Sequence, residues 1–534
     1  MPTRYITTPI YYVNDRPHIG HCYTTVLADV LARAGRLHDP VPAPDGGVFF
    51  LTGTDEHADK VVTSAADHQM TPIQWADRNA EEFKKAFAFM NTSHDDFIRT
   101  TQDRHISKVR EYIRALQASG DIYLGDYVGW FDPSQEEYLT ETTAKEHNYL
   151  SPVTGKPLVK KTEKNYFFKL SAYEARLRAH IEGNKDFIKP DARRNEVLGR
   201  LRQGLQDVPI SRAVTDDPTS QWGIRMPDDA GHRIYVWIDA LFNYLSVVDT
   251  PERKYLWPAQ IHLIAKDILW FHAVIWPALL MALKRELPGT VYAHSYWVRE
   301  GRKMSKSLGN FVTLEVLQTY VSKFSLDAVR WYLITQGPLR ETDADFSHAK
   351  FVETYNAELA NGIGNCASRV SNMIAKYFDG KMPAGQVATH AGYDFASLCS
   401  AAVKTSIDSA RGGDVATSVF QGIELVRQVD GYINTTTPFK LAKLVEADPS
   451  KKAELGAILY NCAETLRIAS LLLAPAMPTK MGELWSLWSC APTPNVPLTS
   501  LGVFGGPHGL KLGSDVRKGE ALFMRADPAE AAPA

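Results

Sequence analysis

Cysteine is scarce in this sequence and never closely paired. The five residues, Cys22, Cys366, Cys399, Cys462 and Cys490, include no CxxC spacing. That excludes a disulfide framework and a zinc knuckle, and it suits a reducing compartment, the cytoplasm. No charge of one sign dominates, since 59 Lys and Arg stand against 61 Asp and Glu. A protein that coats DNA is far more basic, so any contact with nucleic acid must come from local patches. Long apolar runs are lacking as well. The most apolar stretch, "WFHAVIWPALLMAL" (270–283), carries a His and a Pro and is too short to cross a bilayer, so it reads as a core helix and no membrane partner is expected. The opening "MPTRYITTPIYYV" does not have the basic-then-apolar layout of a signal peptide.

What is present is enough chain for two to four domains, with 534 residues of globular composition. The first 124 residues alternate strand-like and helix-like segments. "YITTPIYYV" is β-rich, and "HCYTTVLADVLARAGRL" places Tyr23, Val26, Leu27, Val30 and Leu31 on one helical face. "GGVFFLTGTDEH" returns to a strand. This βαβ rhythm predicts a parallel α/β sheet with its ligand crevice at the carboxyl ends of the strands. Over 125–227 turns such as "SPVTGKP" and clusters such as "VKKTEK" break the rhythm, which predicts an insertion. The α/β pattern resumes over 228–298, so the sheet is split. From 351 to 502 helical periodicity takes over, with Val352, Tyr355, Leu359, Ile363, Val370, Ile374 and Tyr377 in phase, which predicts a helix bundle. A tail, 503–534, ends in the Ala/Pro-rich "RADPAEAAPA", a composition expected to be disordered.

Two short stretches carry chemistry. "RPHIGHCYTT" (16–25) sets His18 and His21 around an Ile-Gly pair where a strand gives way to a helix. Alone, it fits satisfied imidazoles in a tight turn as well as it fits a site. "EGRKMSKSLGN" (300–310) comes after the last strand-like segment. It spaces Lys303 and Lys306 so that both ammonium groups approach one polyphosphate, with Ser305 and Ser307 as donors. Alone, it is an ordinary basic loop.

Together, and in this order around a split α/β sheet, "HIGH" and "KMSKS" resemble the paired signature of class I aminoacyl-tRNA synthetases. Over nearly its whole length the chain is similar to the methionyl members, on "TTPIYYVNDRPHIGH", "LTGTDEHADK", "KNYFFKLSAYE", "YVWIDALFNYL", "AKDILWFHAVIWPA", "GRKMSKSLGN", "DADFS" and "NGIGNCASRV". The resemblance implies a Rossmann-like α/β catalytic domain split by an α+β connective insertion. A loop and stem-contact region (299–350) and an α-helical anticodon-binding bundle come next. It implies ATP-dependent activation of L-methionine to methionyl-adenylate, then transfer to tRNA(Met) for initiation and elongation, with Mg²⁺ accompanying ATP.

Carried over position by position, the catalytic residues are His18, His21, Lys303 and Lys306. ATP is expected on these four together with Asn14, Gly20 and Asp267. Asp267 takes the ribose hydroxyls, caps the next helix, or does both. Methionine is expected on Ile10, Tyr12, Trp237, Ala240, Leu241, Tyr244, Ile268, Phe271, His272 and Trp276, with Asp55 on its ammonium. An aromatic and aliphatic pocket with one or two hydroxyl or imidazole donors suits an unbranched thioether. For Phe271, pocket and core are both open. His57 is a weaker candidate for substrate contact. Asn365 and Arg369, on one side of a helix, and Phe439 match anticodon contacts.

Four departures are visible. Phe439 in "TTTPFKLAK" stands where many members have Trp, so it stacks without an indole N–H. Residues 125–227 contain no cysteine, so no zinc is expected where other members carry knuckles. Ala58 and Ala265 stand where relatives usually have Gly. No further tRNA-binding or dimerisation domain is read after the bundle, so a monomer is expected. Rival readings fit less well. The leucyl, isoleucyl and valyl enzymes carry a much larger editing insertion, and a cysteinyl enzyme needs zinc thiolates. A small-molecule nucleotidylyltransferase lacks the helical third, and a silent RNA-binding relative has no chemical reason to keep His18, His21, Lys303 and Lys306.

Overall fold

Strand β1 (Arg4–Tyr12), sequence RYITTPIYY, is buried along most of its length, as a run of apolar and β-branched residues requires at the centre of a parallel sheet. It lies between β2 (Val48–Asp55) and the strand Ile261–Ala265. Beyond β2 comes β3 (Asp96–Arg99). Beyond Ile261–Ala265 come Thr290–His294 and then the two-residue edge strand Ile188–Lys189. All five pairings are parallel. The computed structural model describes residues 4–40, 47–134, 137–139, 141–299, 301–304, 310–385, 389–445 and 447–529.

The sheet therefore draws one strand from inside the span 125–227, which the sequence pattern assigns wholly to the insertion. Two residues are too few to show a period. The remainder of that span carries a four-stranded antiparallel sheet around the long pair Ile122–Asp132 and Val159–Phe168, and a three-stranded one ending at Ile234. Helix α1 (Ile19–His38) crosses one face of the main sheet. It is buried on nearly every side, with Tyr23, Val26, Leu27, Val30 and Leu31 all in the core.

From His348 onward the chain is mostly helical. The helix Lys451–Leu473 is buried without a break from Leu455 to Leu473, because the bundle closes around it. Residues 503–529 pack back on the bundle through Leu510, Val516, Leu522 and Phe523. Of the end expected to be disordered, Ala526 is held by both amide atoms of Asn356, and 530–534 lie outside the described residues. Among the described residues no helix is long and apolar enough to cross a membrane.

Candidate active site

The strand order changes direction at β1, whose neighbours are β2 on one side and Ile261–Ala265 on the other. Open parallel sheets bind ligands at that point, outside the carboxyl ends of the strands. A cavity of about 520 Å³ opens there. It is lined from β1 by Ile10 and Tyr12, from the turn after it by Asn14 and His18, from the first residues of α1 by Gly20 and His21, and from β2 by Asp55. Trp237, Ala240, Leu241 and Tyr244 form one wall, and Asp267, Ile268 and His272 another. Residues at the ends of β1, β2 and Ile261–Ala265 thus meet in one crevice.

The two imidazoles begin the helix as well as facing the cavity. His18 is the residue preceding α1, and its Nδ1 accepts from Gly20 N at 3.1 Å, while His21 Nδ1 accepts from His18 N at 3.3 Å. The rings stack at 3.9 Å. Burial lowers the His18 pKa to about 4 and pushes that of His21 well below its usual value, with His18 adding to the second effect. Both rings are therefore neutral near pH 7. With Nδ1 used as acceptor, the single proton of each sits on Nε2. The turn offers two N–H donors beside a helix start that has no acidic residue in its first turn, a combination that favours an anion. Gly20 has a local reason as well: a Cβ there would lie 3.0 Å from the His18 ring.

The segment after the basic loop is bound to this turn. His18 pairs with Thr313, Ile19 N donates to Val312 O at 3.1 Å, and Phe311 packs on the His18 ring at 5.0 Å. On the other side, the backbone of Lys303 pairs with Val298, and Met304 is buried. Lys306, with Ser305 and Ser307, lies outside the described residues.

The wall expected to take methionine is aromatic, and the donors of Tyr244, His272 and Trp276 are engaged. His272 Nδ1 sits 2.9 Å from Ile268 O, so it carries the proton, and Nε2 accepts from the Tyr244 hydroxyl at 2.8 Å. Burial lowers the His272 pKa to about 4, which keeps the ring neutral. Trp276 Nε1 donates to His262 Nε2 at 3.3 Å, and His262 Nδ1 meets Thr7 Oγ1 at 2.6 Å. The Tyr244 hydroxyl and the His272 imidazole are thus satisfied within the wall itself. Phe271 and Trp276 stand behind the lining: Phe271 stacks on Trp237 at 4.1 Å and 9°, and Trp276 is fully buried against Tyr244. His57 is also turned away from the cavity, onto Asp239. Ala265 lines the cavity, whereas Ala58 is packed in the core. Among the described residues no group of three or more His, Cys, Asp or Glu side chains is placed to hold a metal ion.

Comparison with known proteins identifies the family. The family described as tRNA synthetases class I (M) matches residues 4–148 and 144–371. A methionine–tRNA ligase of Streptomyces coelicolor is 40% identical over 99% of this chain and 97% of its own length, and one of Clostridium tetani is 41% identical over 98% and 79%. The Mycobacterium tuberculosis methionyl-tRNA synthetase in complex with methionyl-adenylate superposes with a TM-score of 0.88 at 33% identity, covering 98% of this chain and all of that one. The chain belongs to the class I methionyl-tRNA synthetases. Its activity is that of a methionine–tRNA ligase.

Several residues of the synthetase that line the cavity are not evident from its motifs. His294, Ser295 and Tyr296 lie at and just past the end of the strand Thr290–His294. The signal for them is their place at the carboxyl end of a parallel strand, where ligands of such sheets bind. His294 Nδ1 donates to Ser295 O, leaving Nε2 to accept from Thr24 of α1 at 2.8 Å. Tyr296 bonds Asp267, and burial followed by that carboxylate raises its phenol pKa. In the helical third, Asn365 opens the helix Asn365–Tyr377 and is exposed, and Arg369 Nη1 meets Asp430 Oδ1 at 2.7 Å. Phe439 lies just past the left-handed Thr437 and is 44% exposed.

Proposed function

We propose that the cavity at the end of β1 binds ATP and methionine side by side, with the triphosphate over His18, His21 and the start of α1. The neutral imidazoles donate Nε2–H to phosphate oxygens, Lys303 and Lys306 approach from the loop, and Asp267 takes the ribose hydroxyls. Methionine lies along Ile10, Tyr12, Trp237, Ala240, Leu241, Tyr244, Ile268 and His272, backed by Phe271 and Trp276, with its ammonium on Asp55. ATP enters as its magnesium complex, which withdraws charge from the phosphates. No zinc is invoked.

A carboxylate oxygen of methionine attacks the α-phosphorus in line, and the bond to the bridging oxygen breaks as pyrophosphate leaves. The 2′-hydroxyl of the terminal adenosine of tRNA(Met) then attacks the adenylate carbonyl and expels AMP. Neither step needs a protein nucleophile, so positioning and charge stabilisation carry the rate. Asn365, Arg369 and Phe439 read the anticodon, with Arg369 steadied by Asp430. The five free cysteines support a cytoplasmic setting.

The observation that carries this reading is the meeting of two N–H-donating imidazoles, Asp55, Asp267 and an aromatic wall in one crevice. Amino-acid-dependent exchange of labelled pyrophosphate into ATP, without tRNA, tests it across twenty amino acids. Exchange with methionine alone is expected. Exchange with leucine or isoleucine would mean the pocket is misassigned, and none at all would sink the two-step scheme.

A further inference from the structure

Asp239 takes no part in that two-step scheme, yet it is among the most enclosed carboxylates in the molecule, 1% exposed. It sits on the helix Val236–Leu241, which carries Trp237, Ala240 and Leu241 of the methionine wall. Its two oxygens are divided between two elements. Oδ2 lies 2.6 Å from His57 Nδ1, and Oδ1 lies 2.7 Å from His105 Nε2, on the helix Asp103–Ala118. Ser246 Oγ completes His105 at 2.9 Å from Nδ1. Burial pushes the Asp239 carboxyl upward, and His57, followed by His105, outweighs it and holds the group below the usual carboxylate range. Facing an ionised carboxylate, each imidazole presents N–H.

His57 stands two residues beyond Asp55, and the residue between them is held as firmly on the opposite side. Glu56 is fully buried. It accepts from Arg99 Nε at 2.7 Å and Thr54 Oγ1 at 2.8 Å, and its carbonyl accepts from Trp222 Nε1 at 2.6 Å. Side chains alternate along an extended segment. With Glu56 anchored on one side and His57 on Asp239, the backbone that carries Asp55 to the cavity wall is held by the two residues that follow it.

We propose that Asp239 is a positioning residue. Through His57 it fixes the Asp55 carboxylate relative to the wall helix, so that the subsites for the ammonium and the side chain of methionine share one rigid frame. This rests on the assignment of Asp55 to the ammonium, and the test separates the two. The probes are the sulfamoyl analogue of methionyl-adenylate and its counterpart lacking the amino group, titrated calorimetrically into the full-length protein. Replacing Asp55 by Asn (D55N) sets the reference, because it removes the preference for the amino compound directly.

D239N and His57→Ala are expected to weaken the amino compound by about ten- to a hundred-fold, the range for a misplaced reactive group, and the desamino compound by less than two-fold. His57→Asn, whose amide nitrogen can take the place of Nδ1, is expected to restore the preference. Equal weakening of both compounds, or of neither, in D239N and His57→Ala would make Asp239 a structural residue only and overturn the proposal. If D239N does not fold, the two His57 variants decide. An unchanged preference in D55N would overturn the Asp55 assignment, and the proposal with it.

Discussion

At the scale of single residues, the site is governed by which nitrogen of each histidine holds the proton. His18 uses Nδ1 to cap α1, so capping and the phosphate contact proposed for Nε2–H occupy different atoms of one ring. Asn keeps an acceptor in the capping position but cannot reach with an Nε2–H. His18→Asn is therefore expected to unfold at the wild-type urea midpoint while pyrophosphate exchange falls by about 10²–10³-fold. His18→Ala should lose both, with about 1 kcal/mol of stability gone as well. The same logic applies at Tyr244, whose hydroxyl donates to His272 Nε2 at 2.8 Å. Tyr244→Phe strands a buried acceptor, and urea unfolding should show a cost of about 1–3 kcal/mol.

At the scale of elements, the close approach of β2 and β3 sets where Asp55 ends. A Cβ on Gly53 would fall 2.0 Å from Ile98 O, a backbone atom that cannot turn aside. Gly53→Ala should force the two strands apart at about 3 kcal/mol, read as a lowered urea midpoint together with weaker methionine binding. The legibility of the chain divides along the same lines. Periodicity exposed β1, α1, β2 and the bundle, because each has one long face to bury, the two motifs drew attention to His18 and His21, and the family resemblance pointed to Asp55 and Asp267. None of these revealed Ile188–Lys189, which has no period, or the pairing of His57 and His105 with Asp239, three residues that lie far apart along the chain and meet only through tertiary packing. Trp276 reads as pocket in sequence and Phe271 as pocket and core at once, and neither lines the cavity, because an aromatic stripe does not say which ring comes first.

At the scale of the whole molecule, one buried guanidinium joins the parts. Arg330 is fully buried. It donates to Asp29 of α1, to Met90 O at 2.8 Å and to Ala476 O at 2.9 Å, tying the catalytic sheet to the bundle. Buried neutral histidines also give the fold a direction in pH. Burial lowers the pKa of His272 and of His294 to about 4, while in the unfolded chain each titrates near 6.5. Between those values the unfolded chain binds more protons, so stability is full above pH 6.5 and falls as pH drops towards 4. About 3 kcal/mol per group is expected, and urea midpoints at pH 7 and pH 4.5 measure it. The central place of β1 has one further consequence, for the chain as it is being made. Ile6 pairs with Ile261, a partner translated roughly 250 residues later, or about 12–50 s at ordinary ribosomal speeds. Throughout that interval β1 keeps an unpaired edge, and an enzyme that serves translation depends on its own nascent chain being sheltered until Ile261–Ala265 has followed it out of the ribosome.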